Sequence, residues 1–193
     1  MRHILIYIVV TFLCLINAGN VFAALRHSDA SDDYHTIANL VSNLVKFTEW
    51  QGEKSIALTH SLNLCVFGDN ELTVDHMPQS LRKQISVTLS NSPAVENINI
   101  CHVVFVGNRE RNVAGIISAS KRKPIITIGK FDGFAAAGGI IEILTEVDDL
   151  GLFFDDEKFD SKKLYWKVNE RMVEESKLQI DARLLQSALE VIK

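Results

Sequence analysis

Three short apolar runs, each closed by a glycine, constrain this 193-residue chain more than any other feature. They are Leu62-Asn63-Leu64-Cys65-Val66-Phe67-Gly68, Cys101-His102-Val103-Val104-Phe105-Val106-Gly107 and Pro124-Ile125-Ile126-Thr127-Ile128-Gly129. Each is rich in β-branched or aromatic residues and reads as a strand buried on both faces. Strands that end in glycine and alternate with helices make a parallel α/β sheet. If the first two runs are neighbours in register, Cys65 and Cys101 come close enough to bond.

The N-terminus reads as a signal peptide over residues 1–23. Arg2 supplies a positive start, Ile4 to Ile16 is an apolar core, and Val21-Phe22-Ala23 places compact residues where a signal peptidase requires them. Cleavage between Ala23 and Ala24 is expected; the competing reading is an uncleaved anchor, against which the apolar core is short. Cys14 lies inside that core after Phe12-Leu13, without the small residue that precedes a lipid-modified cysteine. Cleavage leaves Cys65 and Cys101 as the cysteines of the exported chain. In an oxidising compartment two thiols on adjacent strands pair; the alternative is two buried free thiols.

Residues 24–193 read as a single domain, long enough for a sizeable core. Tyr34, Ile37, Leu40, Val41, Leu44, Val45 and Phe47 recur at helical spacing, so Asp33 to Glu49 is expected to be one amphipathic helix, capped by Asp32 or Asp33 and closed by Trp50. A short helix around Leu81 precedes a strand at Ile85–Leu89. Val113, Ile116 and Ile117 mark the inner face of another helix, which ends in Lys121-Arg122-Lys123, where cations complement the helix dipole. Gly133 to Gly139 reads as a helical turn stopped by glycine. Ile140–Leu144 and Leu164–Val168 are expected to pair as a hairpin, the second being the last strand. Asn169 caps a helix through about Ser176, and a final amphipathic helix runs from Ala182 to Ile192. The fold class is therefore α/β: a mixed, mainly parallel sheet flanked by helices, with a C-terminal strand hairpin and helix.

The formal net charge is -4, and aromatics do not interleave with Lys and Arg, so no nucleic-acid partner is indicated. The six histidines form neither H-x-H nor H-E-x-x-H, and no metal site is indicated. His102 reads as a packed residue beside a core strand. There is no G-x-S-x-G elbow, no G-x-G-x-x-G after the first strand, and no Lys after the second glycine of Gly133–Gly139. Asp155-Asp156-Glu157 lacks calcium-loop spacing. No catalytic constellation and no cofactor site follow from the residues; the chain reads as a binding protein.

The chain resembles the YfiR family across most of residues 24–193. The likeness is carried by Asn43-Leu44-Val45-Lys46-Phe47-Thr48-Glu49-Trp50, Cys65-Val66-Phe67-Gly68-Asp69, Cys101-His102-Val103-Val104-Phe105-Val106 and Pro124-Ile125-Ile126-Thr127. Gly133-Phe134, Gly138-Gly139-Ile140-Ile141, Val168-Asn169 and Leu178-Gln179-Ile180 before Leu184-Leu185 complete it. The resemblance implies a small periplasmic α/β protein, often dimeric, that represses a membrane-bound diguanylate cyclase by binding its periplasmic region. It also implies an outer-membrane lipoprotein that sequesters the repressor, and a structural disulfide between Cys65 and Cys101. Some members carry a second cysteine pair near the 140s, which is absent here. The Asp148–Lys162 segment is longer than a usual hairpin turn and reads as a decorated hairpin or a partner-binding loop.

A small-ligand-binding protein is the alternative. The turns Gly68-Asp69, Gly107-Asn108 and Gly129-Lys130 would line the crevice at the carboxyl ends of the strands, where α/β sheets hold ligands.

Overall fold

The computed structural model describes residues 34–50, 61–69, 71–144 and 164–193. The signal peptide, its cleavage at Ala23–Ala24, the Asp32 and Asp33 caps and the Asp148–Lys162 segment lie outside the described residues.

The described elements, in chain order, are α1 (34–47), β1 (Thr48–Trp50), β2 (Ser61–Phe67), α2 (Gln79–Gln84), β3 (Ser86–Asn91), β4 (Val103–Val106), α3 (Val113–Ser120), β5 (Ile126–Gly129), β6 (Ile141–Leu144), β7 (Tyr165–Asn169), α4 (Glu170–Glu175), β8 (Leu178–Ile180), α5 (Ala182–Leu185) and β9 (Glu190–Ile192). Seven strands form one sheet in the order β3-β2-β4-β5-β6-β7-β9. Neighbours from β3 to β6 are parallel, β7 is antiparallel to β6, and β9 is parallel to β7. This is the expected α/β architecture.

The three glycine-ended runs are β2, β4 and β5, side by side. Every residue of β4 and β5 is buried, because helices or turns cover both faces. β3 alternates in exposure, as an edge strand with one packed face does. On one face of the sheet Leu62, Leu64, Val66, Phe105 and Ile128 pack with Ile37, Val41 and Leu44 of α1. On the other, Cys65, Phe67, Val104 and Val106 pack with Ile98, Ile116 of α3 and Phe134. Cys65 and Cys101 form a disulfide on this second face, with Cα atoms 5.8 Å apart, joining β2 to the turn before β4.

Two expectations at the ends of the chain change. The first helix stops at residue 47, and Thr48–Trp50 is a strand, antiparallel to Leu178–Ile180. Thr48 and Trp50 are buried while Glu49 is exposed, a period of two that suits a β-branched and an aromatic residue. The final helix spans only Ala182–Leu185, started by the Asp181 side chain accepting from Arg183 N–H. Beyond it Glu190–Ile192 becomes a strand, because Leu189 N–H bonds to Trp166 C=O (2.8 Å) and β9 completes the edge beside β7. Leu164–Val168 corresponds to β7 and pairs with the 140s as expected, but it is not the last strand.

The turn between β5 and β6 follows its expected form. Gly139 N–H bonds to Phe134 C=O and Gly138 N–H to Ala135 C=O, the paired bonds of a Schellman motif, with Gly138 at φ 104°. Asn169 caps α4 through its Oδ1, which accepts from Met172 N–H at 3.1 Å.

Candidate functional site

The chain leaves β2 for β3 on one side and then crosses to β4 on the other. The strand order reverses there and the connections diverge at the carboxyl ends of β2 and β4, the position where α/β sheets form a crevice. The turns Gly68-Asp69 and Gly107-Asn108, foreseen from sequence as crevice walls, sit at this switch point. Gly129-Lys130 follows on the adjacent strand, with Lys130 N–H donating to Val106 C=O at 2.9 Å.

Glycine is required at both walls. A Cβ at Gly68, which adopts φ 65°, would overlap the Glu110 backbone, and one at Gly107 would press on Gly68 C=O and the Asp69 side chain. The two loops are therefore packed backbone to backbone.

Asp69 organises the polar floor. Its Oδ2 accepts from the Tyr34 hydroxyl (2.7 Å) and its Oδ1 from Glu71 N–H (2.8 Å) and Leu72 N–H (3.3 Å). Lys130 Nζ lies 4.2 Å from the centre of the Tyr34 ring, a cation–π contact. Arg109 reaches Glu71 at 3.3 Å. Tyr34 is buried, and burial followed by the hydrogen bond to Asp69 pushes its phenol far above the ordinary range. The site thus sets two cations and two carboxylates around an aromatic ring.

Beside it His35 and His76 stack edge to face, with ring centres 4.9 Å apart. His76 Nδ1 accepts from Thr73 N–H (3.1 Å), which fixes that nitrogen as unprotonated. Partial burial, and then the neighbouring His35, lower the His76 pKa against the pull of Asp75. Among the described residues, no three His, Cys, Asp or Glu side chains come together to hold a metal ion. His102 is a packed core histidine whose Nδ1 accepts from Asn63 N–H at 3.0 Å.

Sequence reasoning placed the three turns but gave Tyr34 only a packing role, and it did not bring His35 to His76. Both pairings join α1 to the loop after β2, across more than thirty positions, and no local spacing encodes them. Away from the crevice, a cavity of about 190 Å³ is lined by Asn43, Phe47, Arg183 and Leu184. The Arg183 guanidinium is 5.6 Å from the Phe47 ring centre and is held by Asp181, whose carboxyl it depresses to about 2. Among the described residues, no helix is long and apolar enough to cross a membrane.

No curated protein matches the chain. Among solved structures it is similar to a conserved domain protein from Vibrio cholerae O1 biovar El Tor strain N16961, at 12% identity and a TM-score of 0.50, over 82% of this chain and 60% of that one. It is also similar to an ABC domain in complex with L-Trp from Streptococcus pneumonia, at 13% identity and a TM-score of 0.48, over 80% of this chain and 60% of that one. The chain therefore spans less than two thirds of both, and the first supports the fold alone. The YfiR/HmsC-like family matches residues 34–188, from the tyrosine of the crevice to the segment just before β9. With that match running through both disulfide cysteines and all three glycine-ended strands, the chain belongs to the YfiR/HmsC-like family.

Proposed function

We propose that this protein is an exported regulator that binds the periplasmic region of a membrane-bound diguanylate cyclase and represses it. The family match over residues 34–188 carries this reading, because the family is regulatory rather than catalytic. In this reading residues 1–23 are removed between Ala23 and Ala24, and the Cys65–Cys101 disulfide stabilises the domain in an oxidising compartment. The cyclase performs the chemistry on the other side of the membrane, and this chain biases its conformation by binding one state better than the other. A homodimer and an outer-membrane lipoprotein that sequesters the regulator complete the proposed circuit.

The test is cellular cyclic di-GMP in a strain lacking the gene and in the same strain with the gene restored. A rise on deletion that reverses on restoration is the expected result. Unchanged levels across several growth conditions would overturn the repressor reading.

One observation favours a second reading. Tyr34, Asp69, Arg109 and Lys130 converge at the topological switch point, where α/β sheets hold small ligands. A metabolite that raises the melting temperature of the wild type, but not of Asp69→Asn, supports ligand binding there; a flat response to a broad panel removes it.

A further inference from the structure

The Lys121-Arg122-Lys123 run does more in the folded chain than complement a dipole. α3 returns from the carboxyl end of β4 to the amino end of β5, so its last turn lies at the amino ends of the parallel strands. β7 runs antiparallel to β6 and delivers α4 to the same end, with Asn169 N–H bonded to Ile140 C=O at 2.8 Å. The two helix C-termini meet there: Lys121 Nζ is 3.5 Å from Glu175 Oε2, and Arg171 approaches the other oxygen of that carboxylate at 4.0 Å.

Each helix is followed by a basic residue in the left-handed region, Arg122 at φ 59° and Lys177 at φ 55°. This is the position after the helix cap where glycine is the usual occupant, because a Cβ is strained there. The same departure at two touching turns keeps two cations where the backbone favours glycine. Arg122 and Lys177 are exposed and Lys123 is half-buried. Among the described residues, none of the three has an acidic partner, whereas Glu175 is already engaged by Lys121 and Arg171.

We infer that Arg122, Lys123 and Lys177 form a docking surface for an acidic protein segment, at the end of the sheet opposite the Asp69 crevice. The chain as a whole is acidic, with a formal net charge of -4, so such a partner needs a local cationic patch. α4, which ends at one of the two turns, itself carries Glu170 and Glu174, so the cations are confined to the turns and suit a discrete acidic segment rather than a continuous anionic lipid surface. Fixed turns also suit positioned carboxylates better than a fluid headgroup layer. This surface does not depend on the cyclase reading.

The test uses the full chain and a fluorescein-labelled peptide of alternating Glu and Ala, titrated at low and high salt. Arg122→Gly/Lys177→Gly is compared with Lys46→Gln/Lys83→Gln, which removes the same charge elsewhere. The wild type should bind the peptide in a salt-sensitive way. The glycine variant should bind about tenfold more weakly, as expected for two exposed ion pairs, and should melt at a higher temperature because the strain is relieved. The control should bind as the wild type does. No peptide binding by the wild type, equal weakening in the control, or a melting temperature that does not rise would overturn the inference. So would a loss seen only on phosphatidylglycerol vesicles, which would assign the patch to a lipid surface.

Discussion

The Phe134 ring fills the space that a side chain at Gly129 would need: a Cβ built on Gly129 falls far inside contact distance of the ring. Gly139 stands in the same relation to another edge of that ring. The end of β5 and the end of the β5–β6 connection are thus bare of side chains so that one aromatic ring can seal the sheet. Gly129→Ala and Gly139→Ala should each lower stability by about 1–3 kcal/mol through overpacking, measured by urea denaturation. Gly133→Ala, at φ 82° and facing open space, should lose only about 1 kcal/mol through backbone strain. The glycine pair should be non-additive, since both substitutions displace the same ring.

The Cys65–Cys101 bond closes a loop across 36 positions. In the chain-entropy treatment a loop of that length is worth about 4 kcal/mol. Urea unfolding of the wild type with and without reductant, and of Cys65→Ala/Cys101→Ala, should reveal a loss of this order. Both sulfurs are in the core, so reduction should proceed only as the protein opens. Rapid reduction of the folded protein would contradict that placement.

Glu142 is buried on β6. One oxygen accepts Ala135 N–H at 2.9 Å, and the other faces the Lys167 ammonium at 3.7 Å, an ion pair rather than a hydrogen bond. Glu142→Ala leaves the buried Ala135 N–H without its acceptor, while Lys167 keeps Glu190 at 3.5 Å, and should cost about 1–3 kcal/mol. Glu142→Gln keeps an acceptor for Ala135 and should cost less, by the same unfolding measurement.

At alkaline pH the crevice becomes a liability. The Tyr34 phenol is raised above its ordinary value, so the folded chain holds a proton that the unfolded chain releases. That contribution is complete below about pH 10 and is lost as pH climbs towards the folded value. Stability should fall with rising pH above about 10 more steeply in the wild type than in Tyr34→Phe, followed by circular dichroism. Parallel slopes would show that burial and the Asp69 hydrogen bond do not hold the phenol protonated.

His76 acts in the opposite direction. Its folded pKa is lowered, so the unfolded chain takes up the proton first. The stability it supports is present above about pH 6.5 and declines as pH falls through the folded value. Protonating Nδ1 also breaks the bond from Thr73 N–H. His76→Gln should flatten the acid limb, and NMR titration of the His76 ring should place its midpoint below the ordinary histidine range.

Much of this architecture is legible in the chain. β2, β4 and β5 announce themselves because a strand covered on both faces has no polar side to interrupt it, and each ends where a glycine turns the chain. Placing two such strands side by side brings the cysteines near each other, but register alone does not pair them: Cys65 faces Val104, and Cys101 bonds to it from the turn before β4. Thr48–Trp50 and Glu190–Ile192 are not legible in the same way. A three-residue strand adds too little period-two signal to outweigh the helical spacing beside it, and its existence depends on a partner far away in sequence. The crevice is half legible: Gly68, Gly107 and Gly129 mark its rim, but Tyr34 and His35 reach it from a helix whose spacing speaks only of packing. The cationic turns are visible as Lys121-Arg122-Lys123, while Lys177 joins them only through the contact between Lys121 and Glu175.

The pairing of β1 with β8 sets an order on folding. Thr48 and Ile180 are partners across roughly 130 residues, and Asp181 N–H bonds back to Phe47 C=O at 2.8 Å. The clasp that fastens the end of α1 is therefore delivered roughly 130 residues after that helix. A chain emerging N-terminus first can nucleate β2, β4 and β5 early, but it cannot lock the end of α1 until β8 is free. Contacts of such long range slow folding, and α1 stays unclasped until β8 has emerged to pair with β1.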